Sequence, residues 1–227
     1  VTPTAAIPLY GRSADNIRDH RHVTSLLHRI ETTDIGVLVT PTLSFDERGH
    51  QVNHMTYYCV GWSGNGEKPV DFYPTAEDFV GEGGNFERPY AIVKNAEGVK
   101  AGTRIEGLEA VGGLHFSEVT LEPEEECSYL IFTGITEDIQ EIRNLSKTYT
   151  TREMVLEELE KTKAYWQEKV NVAYHTGDSD FNQFMHWVSF QPILRRIYGC
   201  SFLPHHDYGK GGRGWRDLWQ DCLALLL

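Results

Sequence analysis

The hydrophobic pattern of this chain changes its period near residue 150, and this change limits the folds open to it. Before that point, short runs such as residues 35–40 (IGVLVT) and 55–60 (MTYYCV) end at proline or glycine, as strands do. After it, apolar residues recur close to every 3.6 positions, as on one face of a helix. The pattern therefore predicts an antiparallel β-sandwich over residues 1–148, followed by helices.

Two segments of the β-region carry more specific expectations. Residues 114–121 and 127–135 are joined by a short acidic run (EPEEE), which predicts an antiparallel hairpin with one face on a core and a solvated turn. Residues 13–29 are charged, rich in histidine and partly helical in pattern. They indicate either a helix between strands or a functional excursion from the sandwich.

The helical region begins with a capping box, in which Thr150 is the N-cap and Glu153 closes the box. It predicts a helix over residues 151–170 with one apolar stripe, formed by Val155, Leu159, Trp166 and Val170. A second helix, predicted over residues 180–198, is apolar on nearly every side. We expect it to be buried in a large α-domain, with Pro192 kinking or dividing it.

Composition excludes several classes of partner. The net charge of −12 argues against a nucleic-acid partner. The four cysteines are widely spaced and form no C-x-x-C pair, so zinc is not expected and reduced thiols are. No charged-then-apolar leader follows Val1, and no apolar run reaches the ~20 residues of a membrane span. A cytoplasmic enzyme with no membrane partner is the expectation.

The densest chemistry lies in residues 212–226 (GRGWRDLWQDCLALL), a glycine-rich approach to an apolar helix. Carboxylates and amides bind paired sugar hydroxyls, arginine binds oxygens bidentately, and indole faces cover the C–H surface of a sugar ring. The segment thus predicts a sugar pocket. Because the sequence stops inside this apolar helix without a cap, we expect a break within a larger protein.

Other chemistry in the same region is weaker. The adjacent histidines of residues 205–207 (HHD) point in different directions, and no third ligand stands at helical spacing, so no metal site is expected. The glycine-rich loop at residues 209–214 lacks the Walker spacing of a nucleotide-binding loop. Asp217 and Asp221 are four residues apart on one helix face. We interpret them as sharing a role in binding or capping, rather than as a catalytic acid–base pair.

The run GGRGWRDLWQD, the preceding FNQFMHW helix and the order of the elements resemble glycoside hydrolase family ninety-four. Its members are inverting sugar phosphorylases acting on cellobiose, cellodextrin, laminaribiose or chitobiose. The resemblance implies a β-sandwich at residues 1–148, incomplete at its N-terminus, and a linker helix at residues 149–176. It further implies that residues 177–227 are the first helices of a truncated (α/α)6 barrel.

The resemblance also implies roles for residues of the motif. Arg213 and Asp217 match positions that bind the sugar of the glycone subsite, and Arg216 matches an arginine near the inorganic phosphate. Sugar contact or support is implied for Trp215, Gln220 and Asp221. The family's general acid is an aspartate in a later Trp-Asn-Asp element that these residues do not contain, so the catalytic residue is unknown and the isolated chain is expected to be inactive.

The activity implied is reversible phosphorolysis of a β-glucosidic di- or oligosaccharide to α-glucose 1-phosphate, with inversion. Its partners are the β-glucoside, inorganic phosphate as co-substrate, the remainder of the barrel and a second copy in a homodimer, without a cofactor. Two alternatives stay open: an inverting hydrolase on the same barrel, and a non-catalytic carbohydrate-binding sandwich. Residues 10–16 could reach an acceptor subsite, although a plain surface loop is the favoured interpretation.

Overall fold

The computed structural model describes residues 1–11, 21–46, 49–170 and 172–198, together with Trp219. The chain divides into two compact units, Val1–Val155 and Leu156–Leu227. Within the described ranges, no helix is both long and apolar enough to cross a bilayer.

The described strands and helices follow one another in a mostly β-then-α order. The strands are β1 (Thr4–Leu9), β2 (Arg29–Thr32), β3 (Gly36–Val39), β4 (Leu43–Asp46), β5 (Gly49–Val52), β6 (Thr56–Ser63), β7 (Asp71–Thr75), β8 (Arg104–Glu106), β9 (Ala110–His115) and β10 (Tyr129–Thr136). The helices are α1 (Arg21–Leu26), α2 (Ala76–Val80), α3 (Tyr90–Lys94), α4 (Ile139–Thr148), α5 (Arg152–Lys169) and α6 (Ser179–Tyr198).

The first unit contains two larger antiparallel sheets and one small ribbon. One sheet has the strand order β1-β9-β7, and the other has the order β10-β6-β3-β2-β8. Among the residues that the structure describes, strands β4 and β5 pair only with each other. The edge strand β10 pairs with β6 along its whole length, from Tyr129↔Ser63 to Thr136↔Thr56. The predicted antiparallel sandwich is confirmed.

The central core lies between the two sheets. Along β3, Val37 and Val39 point into this core, while Leu38 points to the opposite face of its sheet, as the two-residue period of a strand requires. The sheets approach closely at Gly112 in β9, where a Cβ atom would lie 2.2 Å from the Cβ of Cys59 in β6. Only glycine fits between the strands at this point.

Helices cover the outer faces of both sheets. Ile142 of α4 is buried against Leu38, Trp62 and Leu130 of the five-stranded sheet, and the indole Nε1 of Trp62 donates to the carbonyl of Tyr149 at 2.8 Å. On the three-stranded sheet, Phe79 of α2 and Ala91 of α3 pack against Tyr73 and Val111. The unit is therefore layered as helix, sheet, sheet, helices.

Three expectations about the β-region were wrong in detail. The proposed hairpin does not exist, because β9 and β10 belong to different sheets and the chain between them leaves one sheet for the other. Strand β6 does not stop at Gly61, since pairing with β10 continues through Ile131↔Gly61 to Ser63. Helices α2, α3 and α4 lie inside residues 1–148, at positions where only strands and loops were expected. Helix α1, by contrast, falls within the segment for which a helix was one interpretation.

The two later helices are present close to where the sequence places them. Helix α5 begins at Arg152, and the Thr150 hydroxyl donates to the sulfur of Met154 at 3.4 Å instead of capping the helix. Helix α6 is continuous through Pro192, so the proline does not divide it. The expected burial on every side of α6 is not found. Phe184 is 61% exposed and Trp187 is 50% exposed, because the described part of this unit offers α6 a partner on only one side.

Candidate functional site

The residues predicted to bind sugar and phosphate lie outside the described residues. They are Arg213, Trp215, Arg216, Asp217, Gln220 and Asp221. Residues 205–207, considered and set aside as a metal site, lie outside them as well. All of these assignments stay predictions. Among the described residues, other side chains form the aromatic and polar clusters that could bind a ligand.

The second unit contains an aromatic cleft between α5 and α6, with a volume of about 440 Å³. Trp166 and Phe190 meet edge to face at its base, with ring centroids 4.9 Å apart, and Trp187 lies 5.9 Å from Phe190. The rim carries Gln167, Gln183 and His186, all exposed. Aromatic surface at the base with amides and an imidazole at the rim matches the alternating apolar and hydroxyl surfaces of a sugar ring.

Local hydrogen bonds fix where α6 begins and so which side chains it turns toward the cleft. The carboxylate of Asp178 accepts hydrogen bonds from the backbone N–H groups of Asp180 and Phe181, at 2.9 and 3.1 Å. The Asn182 amide in turn donates to the carbonyl of Thr176 at 3.2 Å, and its oxygen accepts from the Thr176 hydroxyl at 2.8 Å. A capped helix start of this kind sets the register of the Gln183 and Trp187 positions.

The first unit holds a polar cluster at one end of β7. His115 Nδ1 donates to Asp71 Oδ1 at 2.6 Å, and the Tyr73 hydroxyl donates to the carbonyl of Ala96 at 2.7 Å. Lys100 Nζ lies 3.8 Å from Asp71 Oδ2. Burial, and secondly the charge of Asp71, raises the pKa of Tyr73 to about 12. The groups bind one another and the loop that follows α3, so the cluster fastens that loop to the sheet.

His28 is a second buried polar side chain with a structural role. Its Nε2 accepts a hydrogen bond from the backbone N–H of Gly11 at 3.2 Å, and its Nδ1 lies 3.2 Å from the carbonyl of Leu108. These two contacts together require the neutral ring with its proton on Nδ1. Burial lowers the pKa of His28, which favours the same form. Both nitrogens are occupied by the protein, so His28 is not available to a ligand.

The described ranges contain no cluster of metal ligands, and their buried thiol is unreactive. No group of three or more His, Cys, Asp or Glu side chains is placed there to hold a metal ion. Cys59 is fully buried, and burial raises the pKa of its thiol to about 12, so it is not a nucleophile.

Sequence reasoning missed the aromatic cleft, although a signal for it was present. It placed Trp166 on the apolar stripe of one helix and described the next helix, which contains Trp187, as apolar on nearly every side, without packing the two helices together. Two amphipathic helices joined by a short connection pack as antiparallel neighbours, so the two indoles could have been placed together. The Gln167 and Gln183 amides at the edge of those faces were the accompanying polar signal.

Comparison with known proteins identifies the family. No curated protein matches the chain. The family model for the glycosyl hydrolase 94 supersandwich domain matches residues 13–152, which is more than half of the chain. The matched residues contain both sheets except for β1, and all of the covering helices. The chain therefore belongs to the glycosyl hydrolase 94 family, and residues 13–152 are its supersandwich domain.

Proposed function

We propose that this protein is a glycoside phosphorylase that cleaves a β-glucosidic di- or oligosaccharide with inorganic phosphate. The observation that carries the proposal is the family match over the two-sheet sandwich. Membership of this family suggests a carbohydrate-active enzyme. The resemblance of the GGRGWRDLWQD run to the family's phosphorylases favours phosphorolysis as the reaction.

The proposed reaction is a single displacement with inversion. Phosphate attacks the anomeric carbon from the face opposite the glycosidic oxygen, while a carboxylic acid protonates that oxygen as the bond breaks. The products are α-glucose 1-phosphate and the shortened sugar. Phosphate takes the place of the water and general base of an inverting hydrolase, so cationic side chains are needed on the attacking side.

Three side chains of the motif are proposed for this chemistry. Arg213 and Asp217 would bind glucosyl hydroxyls, and Arg216 would attract the phosphate through its planar guanidinium. We propose no general acid among these 227 residues, because they contain no Trp-Asn-Asp element. The helices that follow the sandwich would belong to an (α/α)6 barrel, and the aromatic cleft between α5 and α6 supports a carbohydrate role for that unit.

The test is the phosphate dependence of glucoside cleavage. The 227-residue chain, alone and joined to the barrel segment that carries the family's general acid, is incubated with cellobiose, cellotetraose or laminaribiose and with phosphate. We expect α-glucose 1-phosphate only from the joined form. Glucose release that needs no phosphate would identify an inverting hydrolase, and sugar binding without cleavage would identify a binding sandwich; either result overturns the proposal.

Substitutions in the joined form test the residue assignments. Asp217→Asn should lower kcat/KM at least a hundredfold, about 2.7 kcal/mol of transition-state stabilisation, with an unchanged melting temperature. Arg216→Lys should weaken apparent phosphate affinity more than sugar affinity, because lysine lacks the bidentate fork. A kcat/KM for Asp217→Asn within about threefold of the parent enzyme, with lower thermal stability, would make this aspartate a structural partner of an arginine instead.

A further inference from the structure

A groove on the outer side of the three-stranded sheet has no role in the function proposed above. It runs along α2 and the loop after it, has a volume of about 650 Å³ and belongs wholly to the first unit. Its chemistry comes from Glu77, Glu82, Asn85 and Phe86, with Val80 on its apolar wall. The volume falls in the range of ligand-binding clefts, roughly 300–1,000 Å³.

The groove is held in shape by the protein. Phe86 rests on Phe79, whose ring centroid is 5.9 Å away and which is buried in the helical layer. The Asn85 side-chain oxygen accepts hydrogen bonds from the backbone N–H groups of Glu87 and Arg88, both at 3.0 Å. Gly81 turns the chain out of α2 with φ 80°, a conformation that glycine adopts without strain. A groove fixed in this way loses little entropy when a ligand enters.

The polar groups of the groove retain unused binding capacity. Since the Asn85 oxygen is occupied by the loop, its amide nitrogen offers two donors. The carboxylates of Glu77 and Glu82 are exposed, and neither has an ion-pair or hydrogen-bond partner among the described residues. Phe86 is 43% exposed, so part of its ring is open to the groove. An aromatic face, two acceptors and one donor group therefore line one concave surface.

We propose that this groove binds a neutral oligosaccharide chain, as a site separate from the residues assigned to the reaction. Carboxylates and a primary amide hydrogen-bond adjacent hydroxyls, and the Phe86 ring covers the C–H face of a sugar. Glu77 and Glu82 would repel phosphate or a sugar phosphate, so the sugar that binds here carries no phosphate. Binding here would hold a long substrate on the sandwich while one of its ends reacts elsewhere. The choice of a β-glucan as the ligand rests on the proposed function.

The probe is cellotetraose, added to the ¹⁵N-labelled 227-residue chain, with binding followed by amide chemical shifts and by calorimetry. We expect the largest shift changes at residues 81–87. Phe86→Ala should weaken binding at least tenfold, which corresponds to about 1.4 kcal/mol, while Phe86→Tyr should retain it. Glu82→Ala should weaken binding at least threefold. This second variant does not depend on the packing of Phe86, because the Glu82 side chain has no partner in the described part of the chain.

Matched controls separate the groove from general surface effects. Val93→Ala changes a 53% exposed residue of α3, and Glu97→Ala changes an exposed carboxylate, both outside the groove. Neither should alter the affinity. The inference is overturned if cellotetraose shifts no amide of residues 81–87, or if Phe86→Ala and Glu82→Ala bind as tightly as the parent. If cellotetraose binds the groove but phosphorolysis is never observed, the groove assignment stands and the proposed function fails. If phosphorolysis is observed but cellotetraose does not bind the groove, only the groove assignment is rejected.

Discussion

Gly112→Ala should be among the most damaging single-methyl changes in the first unit. The added Cβ atom would lie 2.2 Å from the Cβ of Cys59 and 2.9 Å from its sulfur, between the two sheets. Ordinary carbon–carbon contacts lie at about 3.5–4.0 Å, so the overlap is roughly 1.3 Å or more. Because both Cβ atoms are fixed by the backbones of hydrogen-bonded strands, no side-chain rotation relieves it, and the sheets must move apart.

The expected cost follows from the packing of the core. Overpacking a dense core costs about 1–3 kcal/mol and sometimes more. We expect Gly112→Ala to lower the free energy of unfolding by about 3 kcal/mol. Separating the sheets also weakens contacts around Leu9, whose Cδ1 lies 3.4 Å from the added Cβ atom. A domain stability of about 5–15 kcal/mol would be reduced but not abolished.

Thiol labelling of Cys59 measures this cost directly. The residue is fully buried, and burial raises the pKa of its thiol to about 12, so an alkylating reagent reaches it only when the unit opens. A loss of 3 kcal/mol should raise the labelling rate about a hundredfold, as read from the peptide that contains Cys59 by mass spectrometry. The exposed Cys127 reports reagent reactivity in the same sample and should label at an unchanged rate.

Two further variants make the prediction refutable. Gly177→Ala adds a methyl group where nothing lies within 4 Å, and should change stability by no more than about 0.5 kcal/mol. In the Gly112→Ala protein, a second substitution, Cys59→Gly, removes the opposing Cβ atom. It should raise the denaturant concentration at the unfolding midpoint part of the way back to the parent value. If Gly112→Ala labels Cys59 within threefold of the parent rate, the close approach of the sheets described above is wrong.

Three other perturbations have defined outcomes. Because burial lowers the folded-state pKa of His28 below its ordinary 6.5, its neutral contacts stabilise the fold above about pH 6.5 and lose that contribution as the pH falls through the lowered folded-state value. His28→Leu should lower the free energy of unfolding by about 2 kcal/mol at pH 8 and reduce the change of the urea midpoint between pH 8 and 5. A midpoint that depends on pH as strongly as in the parent protein would contradict this. Trp62→Phe removes the hydrogen bond to Tyr149 and should cost about 1 kcal/mol, seen as faster amide exchange in α4 but not in α6. Asp178→Ala removes the N-cap of α6 and should cost about 1 kcal/mol locally, with faster exchange confined to the first turn of that helix; no change there would reject the cap.

The local sequence pattern predicted where strands lie better than it predicted which strands pair with each other. The segments that became β3, β6 and β10 were identified as strands, because alternation and β-branched residues are local signals. The strand expected at residues 114–121 was misplaced, since it overlaps β9 only at Leu114 and His115. Pairing is not local, so β9 and β10 were joined as a hairpin although they lie in different sheets. Helix α4 could have been found: Asp138 accepts from the N–H of Gln140 at 2.8 Å as its N-cap, and Ile142 and Leu145 follow at helical spacing.

The candidate sites divide in the same way. The sugar and phosphate residues from Arg213 to Asp221 rest on a contiguous motif, which sequence alone can show, and they stay predictions. The groove beside α2 was not foreseen, because it depends on Phe86 resting on Phe79 and on a loop shape set by Gly81 and Asn85. Isolated glutamates and a phenylalanine in a glycine-rich loop carry no pattern that points to a ligand until the fold brings them to one surface.

The pairing of β1 with β9 has a consequence for the order in which the first unit folds. Thr4 pairs with His115, and the amino group of Val1 donates to the carbonyl of Val119, a separation of 118 residues. On a ribosome, β1 is therefore made long before its partner, while α4 and the β3–β6 pairing can form from nearby segments. Closing so long a loop is the slow step of β-rich folding, on a scale of milliseconds to seconds. Deleting the first ten residues should leave β9 with an unpaired edge and the five-stranded sheet without its full cover, which makes self-association of the chain the expected failure.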